Sequence, residues 1–267
     1  MTLTLATGPL ASNAPDTTNY EVNGPAHKLL LTEFPRRVRA VFGGEVLLDT
    51  QAGRLLHESN LLPVLYVPER DMDDALLEPT DHTTHCPFKG DASYWSVRVG
   101  DRLAENAVWA YNEPLDESSW LRGLRAVYFK TMDAWFDEDE RIEGHLRDPY
   151  HRVDVRRSSR HVVVRSGDTV LAESTRPMVL SETGLPNRYY LPPEDVRTDL
   201  LVSSTTRTVC PYKGEASYWS FRHGHRTVAD VAFAYHRPLD DTARVAGHRC
   251  FISNDDITVE LDGEAVP

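Results

Sequence analysis

The sequence repeats itself once along its length. Shifted by 124 residues, which is the offset between Cys86 and Cys210, the chain aligns with itself without a gap. Of the 103 positions from Pro25 to Val127, 35 are identical to their counterparts, most densely over Cys86–Arg98. A period this long is a whole domain and far exceeds a solenoid unit. The sequence therefore predicts two copies of one domain.

The repeat also sets the expected domain boundaries. The first domain should span residues 25–146 and the second residues 147–267. Residues 1–24 have no counterpart and are rich in Thr, Asn, Pro and Gly, which favours a flexible N-terminal arm. The junction is short and polar, so we expect the copies to form a pseudo-twofold pair, as an internal pseudo-dimer in a monomer or within a homodimer.

The amino-acid composition argues against several classes of protein. With 29 Lys+Arg against 41 Asp+Glu the net charge is −12, which argues against a protein that grips nucleic acid. No apolar run approaches the roughly 18 residues of a membrane span, so no membrane partner is expected. Three cysteines exclude a disulfide scaffold and suit a reducing compartment. The start of the chain lacks a basic segment ahead of an apolar core, so we expect a cytoplasmic protein.

The apolar pattern alternates with a period of two, which indicates strands. Residues 92–99 place Trp95, Val97 and Val99 on one face and Ala92 and Tyr94 on the other. Residues 160–173 have the pattern of a hairpin with Gly at the bend. The best helix signals are short ones that follow Pro114 and Pro238. Each domain is therefore predicted to be a compact all-β fold with one short helix.

The repeated block begins with Cys-Pro-aromatic-Lys-Gly. Pro fixes φ at the first corner of a turn and Gly accepts a positive φ at its end, so the turn should display Phe88 and Lys89. An ammonium close to Cys86 would favour its thiolate, and Glu58 could hold the lysine or exchange protons with it. The candidate catalytic residues are Cys86, Lys89 and Glu58, and in the second copy Cys210, Lys213 and Glu182.

The lysines carry a further signal. Only four of the 29 basic residues are Lys, namely Lys28, Lys89, Lys130 and Lys213. Two of the four occupy equivalent positions in the repeat. A solvated surface charge tolerates Arg, whereas a site that needs a compact, titratable ammonium does not. Lys89 and Lys213 are therefore the strongest candidates for function.

Structural interpretations stay open for most of these residues. The cysteines fit small buried apolar side chains, and the Tyr-Trp pairs fit a sheet core. His27 and His151 lie at the domain entrances, where a capping or interface role is expected. The segments His82–Cys86 and Asp71–Asp74 do not recur in full, so no metal site is predicted.

The order of these motifs resembles a known family. The run Thr-x-Cys-x-x-Lys-Gly-x-Ala-x-Tyr-Trp-Ser, preceded by Glu and Tyr-x-Pro and followed by Ala-Tyr-x-x-Pro, is similar to that of the bacterial domain-of-unknown-function 427 family, here in tandem over about 240 residues. The resemblance implies a compact β-tent-like fold without zinc cysteines. No cofactor is predicted. Some labels call the family nucleotidyltransferase-like, but the sequence lacks a paired-Asp metal motif.

The resemblance also implies which polar residues belong to the family pattern. Besides the candidates above, they are Tyr66, Tyr94 and Tyr111 with Trp109, and in the second copy Tyr190, Tyr218 and Tyr235, with Phe233 in place of Trp. The six tyrosines and Trp109 are the candidate ligand-binding residues, and Phe233 is a departure from the pattern.

Two functions remain open from the sequence. In the first, each domain binds or transforms a small anionic or carbonyl-containing metabolite, with the lysine paired to the glutamate in a cavity that it shares with Tyr66 or Tyr190. In the second, the repeated block only specifies the fold of a structural or protein-interaction module. Whether the chain is an enzyme is left open.

Overall fold

The computed structural model describes residues 3–5, 8–12, 19 and 24–266. The chain divides into two compact units, one ending at Asp148 and the other beginning at Pro149. None of the helices in the described part is long and apolar enough to cross a membrane.

The first unit contains eleven strands within the described residues, arranged in two antiparallel sheets. The larger sheet has the order β1-β4-β5-β9-β8-β7-β6 and the smaller one has the order β11-β10-β2-β3. The strands are β1 (Leu29–Glu33), β2 (Val38–Phe42), β3 (Glu45–Thr50), β4 (Arg54–Glu58), β5 (Val64–Pro68), β6 (Leu77–Cys86), β7 (Gly90–Val99), β8 (Arg102–Ala110), β9 (Leu124–Val127), β10 (Ala134–Asp137) and β11 (Glu140–Ile142).

The second unit repeats this topology. Its larger sheet has the order β12-β15-β16-β20-β19-β18-β17 and its smaller sheet the order β14-β13-β21-β22. The strands are β12 (Val153–Arg157), β13 (Val162–Ser166), β14 (Thr169–Ser174), β15 (Met178–Glu182), β16 (Arg188–Leu191), β17 (Leu201–Cys210), β18 (Gly214–His223), β19 (Arg226–Tyr235), β20 (Arg249–Phe251), β21 (Thr258–Leu261) and β22 (Glu264–Val266). The prediction of two all-β domains with one topology is confirmed.

Helical structure in the described residues is confined to short 3-10 segments. The two longest follow Pro114 and Pro238, where the sequence predicts a short helix. The segments are Glu69–Asp71, Asp74–Leu76, Asp116–Leu121 and Phe129–Thr131 in the first unit and Pro193–Asp195, Thr198–Leu200 and Asp240–Val245 in the second.

Strand β7 shows why both faces of the larger sheet are apolar. Ala92 and Tyr94 pack into one buried cluster, whereas Val97 and the partly buried Trp95 pack into another. This is the alternation that the sequence predicts, and it means that the sheet is covered on both sides. Trp95 and Val97 keep the same face in spite of a register shift between them against β8.

The small hairpin between β2 and β3 packs tightly against β7. Gly43 at its bend has a φ of +62°, and a Cβ atom there would lie 2.7 Å from Cβ of Val99. Only glycine allows this close approach. The bend therefore fixes how the smaller sheet meets the larger one in the first unit.

The described part of the N-terminal segment lies against the first unit. Thr4 and Ala11 are buried, and the Asn60 N–H donates to the Thr4 carbonyl over 2.6 Å. Ser59 Oγ donates to the Leu10 carbonyl over 2.6 Å. The flexible arm predicted for residues 1–24 otherwise falls largely outside the described residues, and there it stays a prediction.

Candidate functional site: a buried lysine, glutamate and histidine in each domain

The Cys-Pro-aromatic-Lys-Gly block forms the turn between β6 and β7. The Lys89 N–H donates to the Cys86 carbonyl, and Leu115 N–H donates to the Lys89 carbonyl, each over 3.2 Å. Gly90 has a φ of +96°, as the turn geometry requires. The second of these bonds ties the turn to the segment leading into the 3-10 helix. As a result Lys89 is only 7% exposed, so the expectation that the turn displays it was wrong.

Lys89 points to the last residue of β4. Its Nζ lies 2.5 Å from Oε1 of Glu58, so the predicted lysine–glutamate pair is confirmed in the first domain. His27 Nε2 donates to the other carboxylate oxygen of Glu58 over 3.3 Å. The His27 ring stacks on Phe88 with centroids 4.1 Å apart. Both oxygens of a buried carboxylate are therefore bonded, which is the condition for keeping it charged inside the fold.

The second domain builds the same cluster. Lys213 Nζ lies 2.5 Å from Oε2 of Glu182, and His151 Nε2 donates to Oε1 over 3.0 Å. The His151 ring packs on Tyr212 with centroids 4.2 Å apart. The His151 side chain is 6% exposed, whereas that of His27 is 21% exposed. The histidine is thus more enclosed in the second domain, whereas the lysine and the glutamate are about equally enclosed in both.

The pKa of Glu182 shows whether this carboxylate only holds Lys213 in place or could also exchange protons with it. Burial alone would raise the pKa of Glu182, but the hydrogen bonds from His151 and Lys213 outweigh it and lower that pKa to about 2. A carboxylate with so low a pKa is a poor base at neutral pH. Glu182 therefore acts as a fixed negative charge that orients the ammonium.

Tyrosines line the same region in the first domain. Tyr66, Tyr94 and Tyr111 belong to one buried cluster, with Cys86 and Trp109 packed against it. The ammonium of Lys89 lies 5.5 Å from the centre of the Tyr111 ring, within cation–π range. Burial raises the pKa of Tyr66 and Tyr111, and the nearby Glu58 and Cys86 add to the effect, so both phenols stay protonated.

Tyr66 and Tyr94 have defined polar partners. Trp109 Nε1 donates to the Tyr66 hydroxyl over 3.2 Å. The Tyr94 hydroxyl and Thr84 Oγ1 are 2.9 Å apart, and the same pair recurs as Tyr218 and Thr208 at 2.9 Å. These bonds fix the orientation of the rings.

The second aromatic cluster differs at two positions. Tyr190, Tyr235, Tyr218 and Cys210 take the expected places, but Phe233 replaces the Trp indole and offers no donor to Tyr190. Cys250 is buried next to Tyr190, and burial raises its pKa to about 12. Cys250 is therefore an uncharged thiol in the core. In each domain, the site residues predicted from the sequence lie close together, around the lysine–glutamate pair and the tyrosine cluster.

The cysteines of the repeated block have apolar surroundings. Cys86 and Cys210 are half-buried, each packed against the tyrosine cluster of its domain. Neither sulfur has a hydrogen bond to another residue in the part of the chain that the structure describes. A reactive cysteine–lysine pair stays a prediction.

For two site residues, the role predicted from the sequence differs from the role that the structure shows. His27 and His151 were expected to cap or join the domains, but each bonds the buried glutamate of its own domain. Their recurrence at the repeat offset was the signal that could have placed them in the site. Asp71 and Asp195 also recur, and they accept hydrogen bonds from Thr50 and Ser174 in structural turns.

What the cluster can bind depends on the lysine N–H donors that have no partner within the protein. A protonated lysine has three N–H donors. Within the described residues, Lys89 Nζ and Lys213 Nζ each have one hydrogen-bond partner, the glutamate. Each ammonium therefore retains two donors for an oxygen acceptor. No group of three or more His, Cys, Asp or Glu side chains among the described residues is arranged to hold a metal ion.

Fold and site together define a class of protein: a tandem pair of two-sheet β domains, each enclosing a lysine, a glutamate and a histidine. Residues 30–138 and residues 154–264 each match the family described as Domain of unknown function (DUF427). These two regions cover most of the chain, which therefore belongs to this family in a two-copy form. A comparison with curated proteins finds no match for the chain.

Proposed function

We propose that each domain binds a small ligand with an anionic or carbonyl oxygen, and that the lysine ammonium receives this oxygen. The observation that carries the proposal is the duplicated buried cluster, in which a glutamate and a histidine hold a lysine that keeps unused donors. Burial strengthens such a contact, because a hydrogen bond to a charged group gains most where water is excluded. The tyrosine rings supply the apolar wall of the binding site.

The proposal has a defined chemical limit. The negative charge of the glutamate offsets that of the ammonium, so the cluster has little net charge to attract a free anion from a distance. Selectivity must then come from the directed N–H donors and from the tyrosine wall. A ligand with one acceptor oxygen and an apolar body fits these features better than a highly charged one.

The alternative is a module in which the cluster only stabilises the fold. The bond between Lys89 and Glu58 favours this alternative, because it joins the turn between β6 and β7 to the end of β4 without any ligand. The two functions predict different results when the lysine changes to arginine. The fold needs a cation near the glutamate, whereas a ligand site needs the ammonium at one point.

The experiment is a thermal-shift panel on the intact protein with acetate, pyruvate, 2-oxoglutarate, benzoate and phosphate. We expect at least one probe to raise the melting temperature of the wild-type protein. The double variant Lys89→Arg/Lys213→Arg should lose that response, and the control Lys28→Arg/Lys130→Arg should keep it. If every probe acts alike on wild type and double variant, the ligand-binding function is rejected and the structural module is favoured.

Cysteine chemistry is tested on the same protein with a probe that stabilises it. Changing Cys86 and Cys210 to Ser should lower stability and leave the response to the probe in place if these cysteines are apolar packing residues. Turnover of pyruvate or 2-oxoglutarate that disappears in this variant, with the fold intact, would instead identify the thiols as nucleophiles.

A further inference from the structure

A concave surface in the first domain is lined by residues other than Lys89, Glu58 and His27. It is an open groove of about 730 Å³ lined by four segments, namely residues 33–35, residues 51–54, residues 68–70, and residues 120 and 122–124. Backbone hydrogen bonds join these segments in pairs. Phe34 N–H donates to the Gly53 carbonyl over 2.8 Å, and Glu69 N–H donates to the Gly123 carbonyl over 3.0 Å. The walls of the groove are therefore fixed by the fold.

Three arginines line the groove, although this half of the chain is acidic. Residues 1–148 contain 14 Lys+Arg and 25 Asp+Glu, yet Arg54, Arg70 and Arg122 all line this surface. The acidic lining residues are Glu33 and Glu69, so the lining has one more positive than negative charge. Glu69 is also shared with an arginine outside the groove, since its Oε2 lies 3.7 Å from Arg125.

Two of these arginines have no partner in the part of the chain that the structure describes. The guanidinium groups of Arg54 and Arg122 make no hydrogen bond or ion pair to a described residue, whereas many other arginines of the protein are paired with carboxylates. An unpaired guanidinium presents its planar fork of donors to solvent. Such a fork matches the two oxygens of a carboxylate or phosphate.

Apolar side chains also line the groove, of which Trp120 is half-buried and Phe34 is fully buried. Trp120 lines the groove together with Phe34 and Pro68. The neighbouring Leu121 is fully buried and anchors the end of the 3-10 helix that carries Trp120. Aromatic and guanidinium planes both stack on planar rings. The groove thus combines an anion-binding edge with a stacking wall.

The second domain provides an internal comparison. At the positions 124 residues further on, Met178 replaces Arg54, Ala246 replaces Arg122 and Arg244 replaces Trp120. Arg244 Nη1 there donates to the Val155 carbonyl over 2.9 Å, so its charge has a partner within the fold. The chemistry of the groove therefore belongs to the first domain alone and is not required by the shared fold.

We propose that this groove binds a small aromatic anion. Its ring would stack on Trp120, and its carboxylate or phosphate group would pair with Arg54 and Arg122. Trp120 and Leu124 also pack on the tyrosine cluster of this domain, but Lys89, Glu58 and His27 do not line the groove, so the proposal does not depend on the function proposed for the lysine.

The test is isothermal titration calorimetry on the intact protein with four probes. These are 2-naphthoate, 2-naphthyl phosphate, the neutral 2-naphthylmethanol and inorganic phosphate. We expect 2-naphthoate or 2-naphthyl phosphate to bind at least 10-fold more tightly than both the neutral ring and inorganic phosphate. The ratio of the dissociation constants of 2-naphthoate and 2-naphthyl phosphate distinguishes a carboxylate site from a phosphate site.

Variants assign the binding to the groove. We expect the tighter-binding aromatic anion to bind at least 10-fold more weakly to each of three variants, Arg54→Gln, Arg122→Gln and Trp120→Leu. Arg222→Gln is the matched control, because it removes one exposed positive charge from the second domain. Lys130→Gln, at an exposed lysine of the same domain outside the groove lining, should also leave this binding unchanged. The proposal is overturned if no aromatic anion binds, if the neutral ring binds equally well, or if the groove variants behave like Arg222→Gln.

Discussion

Nζ of Lys89 and Oε1 of Glu58 lie 2.5 Å apart, and neither side chain is more than a tenth exposed. The pair joins a turn between two strands to the end of a third strand, 31 residues earlier in the chain. Transfer of both charges out of water has a large desolvation cost, which their mutual attraction and the bond from His27 offset. The same relationship recurs between Lys213 and Glu182.

Removal of the ammonium should destabilise the first domain strongly. Lys89→Met leaves Glu58 as a buried carboxylate with only His27 as a partner, and we expect a loss of about 3–5 kcal/mol in the free energy of unfolding. Urea denaturation followed by tryptophan fluorescence measures it, since four of the five tryptophans lie in the first domain and only Trp219 lies in the second.

The control for this variant is Lys130→Met, at an exposed lysine of the same domain. It should change stability by no more than about 0.5 kcal/mol. Adding Glu58→Gln to Lys89→Met should recover part of the loss, because the unpaired charge is then gone. Equal stability of Lys89→Met and Lys130→Met would contradict the buried pair.

The pH dependence of the second domain should reveal Glu182. Its folded-state pKa of about 2 lies below the ordinary value of 4.5, because the bonds from His151 and Lys213 outweigh the effect of burial. The stabilisation is therefore complete above pH 4.5 and is lost as the pH falls toward 2. A difference of this size corresponds to roughly 3 kcal/mol. Carboxyl-carbon NMR of the folded protein gives the pKa directly.

Glu182→Gln supplies the control for the acid effect. The difference in unfolding free energy between wild type and this variant should shrink as the pH is lowered from 6 to 2, since the wild-type carboxylate loses its charge. A Glu182 carboxyl that titrates near 4.5 in the folded protein would show that the pair is not formed.

The sequence predicts the fold well because the repeat and the period-two pattern act locally. Residues 92–99 show the alternation of one strand, and β7 has that alternation in the structure. The shared strand order of the two domains follows from a gapless repeat, since equal spacing of strands and turns favours one topology. The pairing of β5 with β9 was not predictable, because it joins residues about 60 positions apart with no local signal.

Prediction of the site was partial for a physical reason. Retention of lysine at residues 89 and 213 marked an ammonium with a defined role, and the structure pairs each with the expected glutamate. The turn geometry alone predicted a displayed Lys89, because the turn sequence does not contain Leu115, whose N–H bonds the Lys89 carbonyl. His27 was assigned elsewhere, since its bond to Glu58 depends on the pairing of β1 with β4.

The hydrogen bond between Trp109 and Tyr66 should be measurable by a double-mutant cycle. Trp109→Phe introduces the residue found at the equivalent Phe233, and Tyr66→Phe removes the acceptor hydroxyl. We expect a coupling free energy of about 1 kcal/mol, the usual net value of such a bond. Urea denaturation of the two single variants and the double variant gives the coupling. Strictly additive effects would mean that the bond contributes nothing.

Gly214 should tolerate a side chain less well than another glycine of the same domain. Its φ is +97°, and a Cβ atom would lie 3.1 Å from the Arg237 carbonyl oxygen. Gly214→Ala should cost about 1–3 kcal/mol through backbone strain and this contact. The control is Gly224→Ala, at a φ of +60° with nothing within 4 Å, which should cost about 1 kcal/mol. Calorimetric melting of both variants tests the order, and a smaller loss for Gly214→Ala would contradict it.

The central claim is that Lys89 and Lys213 receive a ligand oxygen. Because the chain has only four lysines, protein labelled with ¹³C at lysine Cε gives four signals, two of them from the half-buried Lys28 and the exposed Lys130. Titration with acetate, pyruvate, 2-oxoglutarate, benzoate and phosphate should shift the Lys89 and Lys213 signals in a saturable way and leave the other two in place. Signals of Lys89 and Lys213 that stay fixed with every probe, or that move only in step with Lys28 and Lys130, would contradict the claim.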